Sequence, residues 1–214
     1  MAPPASAKAT GDALKGSTRA VVDFVTSARL DRFPPDAIAQ AKRCLLDGFA
    51  VMLAGSTAHG SEIVRKYVRS LGEKGAASIV GPERITCSAP RAALANGAAG
   101  HALDFDDTQL STTPDRTFGL LTHPTVPALA STLAVAEEQH ASGAAFLDAF
   151  LTGFEVECKI AEAIDPEHYR RGFHSTATAG TFAGAAGTAR LLKLDAAQPR
   201  TRSALPRAAP PACA

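Results

Sequence analysis

PRAALANGAAGHALDFDDT, residues 90–108, is the stretch on which the reading of this chain turns. Its first half is mostly alanine and glycine. Such a run makes a poor helix alone and a good one only when packed, because small side chains let backbones approach closely while supplying little helicity of their own. Pro90 suits a first helical turn, and Ser88 the cap before it. The second half carries Asp104, Asp106 and Asp107, with His101 a helical turn upstream and Thr108 at the end. Like charges this close repel, Asp is a weak helix former, and a helix C-terminus disfavours anions. Such a cluster persists when it is solvated, paired or used in chemistry. If helical geometry continued through it, His101, Asp104 and Thr108 would share one face.

Working outward, the apolar spacing predicts helix after helix. One is expected over residues 11–30, with Val21, Phe24, Val25 and Ala28 on its stripe. A second opens at Pro34 and Pro35 and buries Ile38, Ala41, Leu45, Phe49 and Met52. A third carries Ile63, Val64, Tyr67, Val68 and Leu71 inward. Around Gly81 and Pro82 two short β-prone runs predict a small hairpin near 77–87. Residues 109–122 read as a polar loop. His123 and Pro124 start a helix facing the core with Val126, Leu129, Ala130 and Leu133. Ser142 or Gly143 begins another, with Leu147, Phe150, Leu151, Phe154 and Cys158. A basic loop, PEHYRRGFHSTATAG, then leads into a second small-residue helix, TAGTFAGAAGTARLL. The expected class is all-α, a multi-helix bundle with at most that one hairpin. Residues 1–10 read as a disordered leader, 11–195 as the helical domain, and the proline-rich 196–214 as a disordered tail.

Composition narrows the possible functions. The chain has 214 residues, 46% hydrophobic and 20% charged, with a formal net charge of +1. That balance gives no footprint for nucleic acid or an anionic membrane surface. No apolar run is long enough to span a bilayer, and the N-terminus lacks a secretory core. Cys44, Cys87, Cys158 and Cys213 form no C-x-x-C pair, so neither a zinc knuckle nor a redox dithiol is indicated, and a cytoplasmic location is expected. There is no phosphate-binding G-x-x-x-x-G-K loop and no G-x-S-x-G elbow.

What remains is proton chemistry on a small carboxylated molecule. A proton α to a carboxylate leaves only to a positioned base. Asp104 can be that base or can orient a histidine, and His123 and His174 are side chains able to donate or accept a proton. Arg170 and Arg171 stand beside His174 and can clamp a carboxylate. His59, His140 and His168 have no partner in sequence and read as surface residues. A metal-dependent lyase using His101, Asp104, Asp106 and Asp107 is the alternative within enzymes. A non-catalytic helical fragment that associates through apolar faces is the alternative outside them.

Three segments in order, NGAAGHALDFDDTQ, LTHPTVPALAS and RRGFHSTATAGTFAGAAGTARLL, together with AKRCLLDGFAVMLAGS upstream, resemble the MmgE/PrpD family over roughly residues 15–197. That family includes 2-methylcitrate dehydratases and cis-aconitate decarboxylases. The resemblance implies a large helical domain completed by a smaller α/β lid, a homodimeric parent, a small di- or tricarboxylate substrate and no cofactor or metal. It implies that Asp104, Thr108, His123 and His174 are the catalytic groups; His101, Asp107, Arg170, Arg171 and Ser175 are the expected substrate-binding residues. Family chains are longer and carry a later lysine-bearing segment, whereas here the text turns to PRTRSALPRAAPPACA, which reads like a shifted frame. The expected parent activity is dehydration of a hydroxy-tricarboxylate such as 2-methylcitrate, the segment 109–122 being longer than in the decarboxylase branch. This chain alone is expected to be inactive.

Overall fold

The computed structural model describes residues 11–110 and 120–194, the side chains of 11–15 and 120 apart. The expectations of a leader over 1–10 and a tail over 196–214 lie outside the described residues. Eight helices and two short antiparallel strand pairs make up what is described. Helix α1 (Gly11–Ser27) and a 3₁₀ turn at Leu30–Arg32 precede α2 (Pro35–Gly55) and α3 (His59–Ser70). The hairpin of β1 (Ala77–Ile79) and β2 (Ile85–Cys87) leads to α4 (Ala89–His101). A second ribbon, β3 (Gln109–Leu110) with β4 (Leu120–Thr122), is followed by α5 (Thr125–Glu138), α6 (Gly143–Ile164), α7 (Glu167–Arg170) and α8 (Ser175–Leu191).

The core lies where the stripes of α2, α5 and α6 meet. Ala41, Cys44 and Met52 pack against Val126, Leu129 and Ala130, and Leu147, Phe150 and Leu151 close the other side. Helix α8 joins through Ala183. Its approach to α6 depends on missing side chains: a Cβ on Gly153 would lie 2.6 Å from the Ala183 carbonyl oxygen, and one on Gly187 would lie 2.9 Å from the Ala149 carbonyl oxygen of α6 and 2.4 Å from Thr132 Cγ2 of α5. Arg190 ties the same seam at its end, donating to Asp148 at 2.6 and 3.2 Å and to the Thr26 carbonyl of α1 at 3.3 Å. No described helix is long and apolar enough to cross a membrane.

A second cluster seats the hairpin. Ala77, Ile79 and Cys87 pack on Ala89, Ala92 and Ala95 of α4, with Val68 of α3 alongside. Asn96 is fully buried and pins the strand edge to α4. It accepts from the Val80 amide at 2.8 Å and donates to the Ser78 carbonyl at 2.9 Å. Both groups would otherwise be orphaned in the interior.

Four expectations need correction. The β3–β4 ribbon falls where a polar loop was expected, with Gln109 paired to Thr122 and Leu110 to Leu120. Helix α4 stops at His101 rather than running through the acidic motif. Asp104 takes a left-handed backbone with φ of 54°, which three clustered carboxylates and weak helix formers favour over another turn. The stripe predicted for α3 is largely outward: Ile63 and Tyr67 are about half exposed, while Ser61, Arg65 and Val68 face in. Arg65 donates to the Ser56 carbonyl, so the helix is held by a charged anchor as well as by apolar contact. Ser88 sits at the N-cap of α4, but its hydroxyl donates to Glu73 instead of capping.

Candidate active site

The left-handed turn after α4 gathers the polar residues. His101 ends α4, and Asp104 and Asp106 curl back beneath and beside it. His123 enters from the end of β4, and His174 from the start of α8. The buried carboxylate of Asp106, its side chain 2% exposed, lies 2.9 and 3.0 Å from His101 Nδ1 through its two oxygens. Asp104 is exposed and stands 4.0 Å from His101 Nδ1 and 3.9 Å from His123 Nε2. The His123 ring is buried; its Nδ1 has no hydrogen-bond partner and faces Asp106 Oδ2 at 3.7 Å. The His101 ring lies edge-on to both other imidazoles, with centroids 5.0 Å from His123 and 6.2 Å from His174.

The supports behind this cluster are as informative as its members. The His123 amide donates to Thr176 Oγ1 at 3.0 Å, which fixes β4 to the first turn of α8. Thr122 Oγ1 donates to Glu157 Oε1 at 2.6 Å and lies 3.3 Å from Thr176 Oγ1. Glu157 is fully buried on α6, and burial pushes its carboxyl up to about 9 against the opposing pull of the Thr122 hydroxyl. It is therefore neutral at pH 7. His174 caps α8, its Nδ1 accepting from the Ala177 amide at 3.3 Å.

Among the sequence-predicted residues, His101, Asp104, His123 and His174 come together. Asp107 does not join them. It accepts from the Thr125 amide at 3.1 Å and the Thr125 hydroxyl at 2.7 Å, securing the start of α5, and burial raises its carboxyl above the ordinary range. Thr108 is exposed beyond the turn. Ser175 is buried and donates to Asp165 at 2.8 Å. Arg171 pairs with Glu167 at 3.0 Å on the surface, and Arg170 is exposed at the end of α7. His168, read as an unpartnered surface residue, is half-buried: Nε2 meets Thr178 Oγ1 at 2.9 Å and the ring stacks on Phe173. Asp106 itself was absent from the acid–base candidates, although a carboxylate five residues after a helix-ending histidine was there to be read.

A groove of about 990 Å³ runs between α4, α5 and α8. Small residues line most of it, and His101, Asp106, His174 and Thr176 furnish one stretch with polar groups. No lysine or arginine is among its described lining residues. His101, Asp104, Asp106 and His123 each offer one ligand atom within 4.8 Å of the others, so a divalent cation is geometrically admissible, at the expense of the His101–Asp106 bond. Chemically the arrangement can hold and move a proton beside an acidic ligand: a carboxylate-backed imidazole, a second imidazole opposite, and a largely apolar wall.

The family model of the MmgE/PrpD N-terminal domain matches residues 19–210. The cis-aconitate decarboxylase-like protein oryM of Aspergillus oryzae is 31% identical over 182 residues, 83% of this chain and 36% of its own length. The cis-aconitate decarboxylase of Homo sapiens is 26% identical over 197 residues, 90% of this chain and 39% of its own. That of Mus musculus is 25% identical over 186 residues, 85% of this chain and 36% of its own. The chain thus spans little more than a third of the length of these curated relatives. With the matched segment covering nearly all the described helices, the chain belongs to the MmgE/PrpD family.

Proposed function

We propose that this chain is the histidine-bearing helical part of a lyase that acts by proton transfer on a small tricarboxylate of the cis-aconitate type. The observation that carries this reading is the convergence of three imidazoles and two carboxylates, from α4, β4 and α8, beside one groove. Family membership and the decarboxylase relatives support the reaction class and the substrate. Asp104, His123 and His174 are the proposed catalytic groups; of these His174 lines the groove, and His101 lines it too as a further imidazole open to substrate, with Asp106 beside them. Thr108, Arg170 and Arg171 have no place in this reading.

A tricarboxylate carries more negative charge than this lining can balance, because no described lysine or arginine reaches the groove. The chain alone is therefore expected to bind weakly and to turn nothing over. Dehydration of 2-methylcitrate is the second reading, favoured by the length of the 109–122 segment; it uses the same groups. The test is to add cis-aconitate or 2-methylcitrate at millimolar concentration and follow carbon dioxide, the absorbance of unsaturated acids, and the imidazole NMR signals. Shifts at His101 and His174 with no product are expected. Unmoved histidines in both titrations would sink the substrate class, and brisk turnover would overturn the inactivity.

A further inference from the structure

We propose that Asp106 is a positioning residue, which locks His101 in the tautomer opposite to that of His174, so that the groove is flanked by one imidazole that accepts a proton and one that donates a hydrogen bond. The proposal rests on the reading of the groove as the substrate site. An ionised carboxylate only accepts hydrogen bonds, and both oxygens of Asp106 lie within 3.0 Å of His101 Nδ1. The proton of neutral His101 is therefore on Nδ1, and Nε2 keeps its lone pair. At His174 the logic inverts. A backbone amide only donates, and the Ala177 amide points at His174 Nδ1. Nδ1 is thus the acceptor there, and the proton sits on Nε2. Two rings 6.2 Å apart, both lining the groove, offer it complementary faces.

Asp106 suits the task because it is immobile. Its side chain is almost wholly buried although it lies in a turn of exposed residues, whereas Asp104 two positions earlier is 77% exposed. The same carboxylate faces the unpartnered Nδ1 of His123, so one buried group stands behind two imidazoles. A buried acceptor holding the far nitrogen of a histidine selects its tautomer and ring angle and stabilises the imidazolium that forms when the ring takes a proton. In that step the bond between hydrogen and a carbon α to a substrate carboxylate breaks, the N–H bond forms at His101 Nε2, and the electron pair passes into the carboxylate. The reverse step returns the proton. His174 contributes its Nε2–H to a carboxylate of the ligand and changes no charge.

The experiment reads the tautomers directly, on the ligand-free 214-residue chain. Long-range nitrogen–proton NMR correlations at pH 8 distinguish Nδ1–H from Nε2–H in each neutral ring. His101 is expected as Nδ1–H in about tenfold excess or more, the bias that a hydrogen bond to a charged group supplies. His174 is expected as Nε2–H. In Asp106→Asn the amide can donate to His101 Nδ1, so His101 is expected to switch to Nε2–H while His174 stays as it was. Asp106→Glu, which keeps a carboxylate, is expected to keep the original form. A wild-type His101 carrying its proton on Nε2, or equal populations of both forms, overturns the proposal without any variant, so misfolding of a variant cannot rescue it. An unchanged His101 in a folded Asp106→Asn chain overturns it as well. Because no ligand is present, failure of the tricarboxylate reading leaves these outcomes untouched.

Discussion

The two faces of α8 have nearly the same composition and opposite fates. One face carries Ala179, Ala183, Ala186 and Gly187, all buried, and meets α6 at backbone distance. The other carries Ala177, Thr181, Gly184 and Ala185 and borders an open groove. Small residues on the first face remove volume so that a neighbour can come close. On the second they border open space, although Gly184 still comes close to Ser131 of α5. Alanine and glycine content therefore reports only that room is needed, and the geometry of the neighbours decides whether the room is for a helix or for something else. Where glycine meets a carbonyl, as Gly153 meets Ala183, no side chain is tolerated. Where it meets a small side chain, as Gly184 meets Ser131 Oγ at 3.3 Å and Cβ at 3.4 Å, a shift of a few tenths of an ångström accommodates one.

Valine substitutions on the two faces break or confirm this contrast most directly. Gly187→Val forces methyl groups into Thr132 and the Ala149 carbonyl, and is expected to cost about 3 kcal/mol and lower the melting temperature by about 10 °C. Gly184→Val, three residues earlier, is expected to cost less than about 1 kcal/mol. Equal losses in thermal denaturation would mean that the groove face is as tightly filled as the seam.

The seam also holds a fully buried glutamate, and pH sharpens the picture there. Glu157 sits near Gly180, whose added Cβ would lie 3.6 Å from Oε1. Its carboxyl titrates near 9 when folded, against about 4.5 for an ordinary Glu. The folded chain thus retains a proton that the unfolded chain has lost. This contribution to stability is complete below pH 4.5 and disappears as pH rises towards 9, at up to about 1.4 kcal/mol per pH unit. Glu157→Gln keeps the shape and removes the titration. Its melting temperature is expected to fall less than that of the wild type between pH 5 and pH 9, and parallel curves would show that the seam is wet.

The smallest effect is expected at Gly97, on the α4 wall of the groove. An added Cβ there would meet only Ala130 Cβ, at 3.8 Å. Gly97→Ala should stabilise the chain by about 0.5–1 kcal/mol through helix propensity and reduced freedom when unfolded. A loss on chemical denaturation would reveal a close approach on this wall as well.

The helices of the core could be read from the sequence because their stripes obey one period. Phe150, Leu151, Phe154 and Cys158 mark the inner face of α6 before any coordinates are known. The same period also locates Glu157, three positions after Phe154, and Asn96, four after Ala92, but a polar residue on an apolar face is discounted when residues are classed by hydrophobicity alone. The candidate site was legible in its histidines and less so in its carboxylates. Three aspartates in four residues carry the same chemistry on paper, and one left-handed residue sends Asp104 to solvent, Asp106 under His101 and Asp107 to the start of α5. No periodicity encodes that sorting. Placing Thr108 on one face with His101 and Asp104 required a helix that in fact ends at His101, and adjacency in sequence to His174 does not bring Arg170 or Arg171 to the groove.

The backbone of Asp104 determines which substitutions can interrogate it. At φ of 54° a residue without a short polar side chain strains the main chain, glycine and asparagine excepted. An alanine scan would therefore register the twist of the peptide together with the lost carboxylate, and a dead variant would not say which mattered. Asparagine tolerates the conformation and discards only the charge, so the grammar of the turn, more than the chemistry of the side chain, prescribes the control.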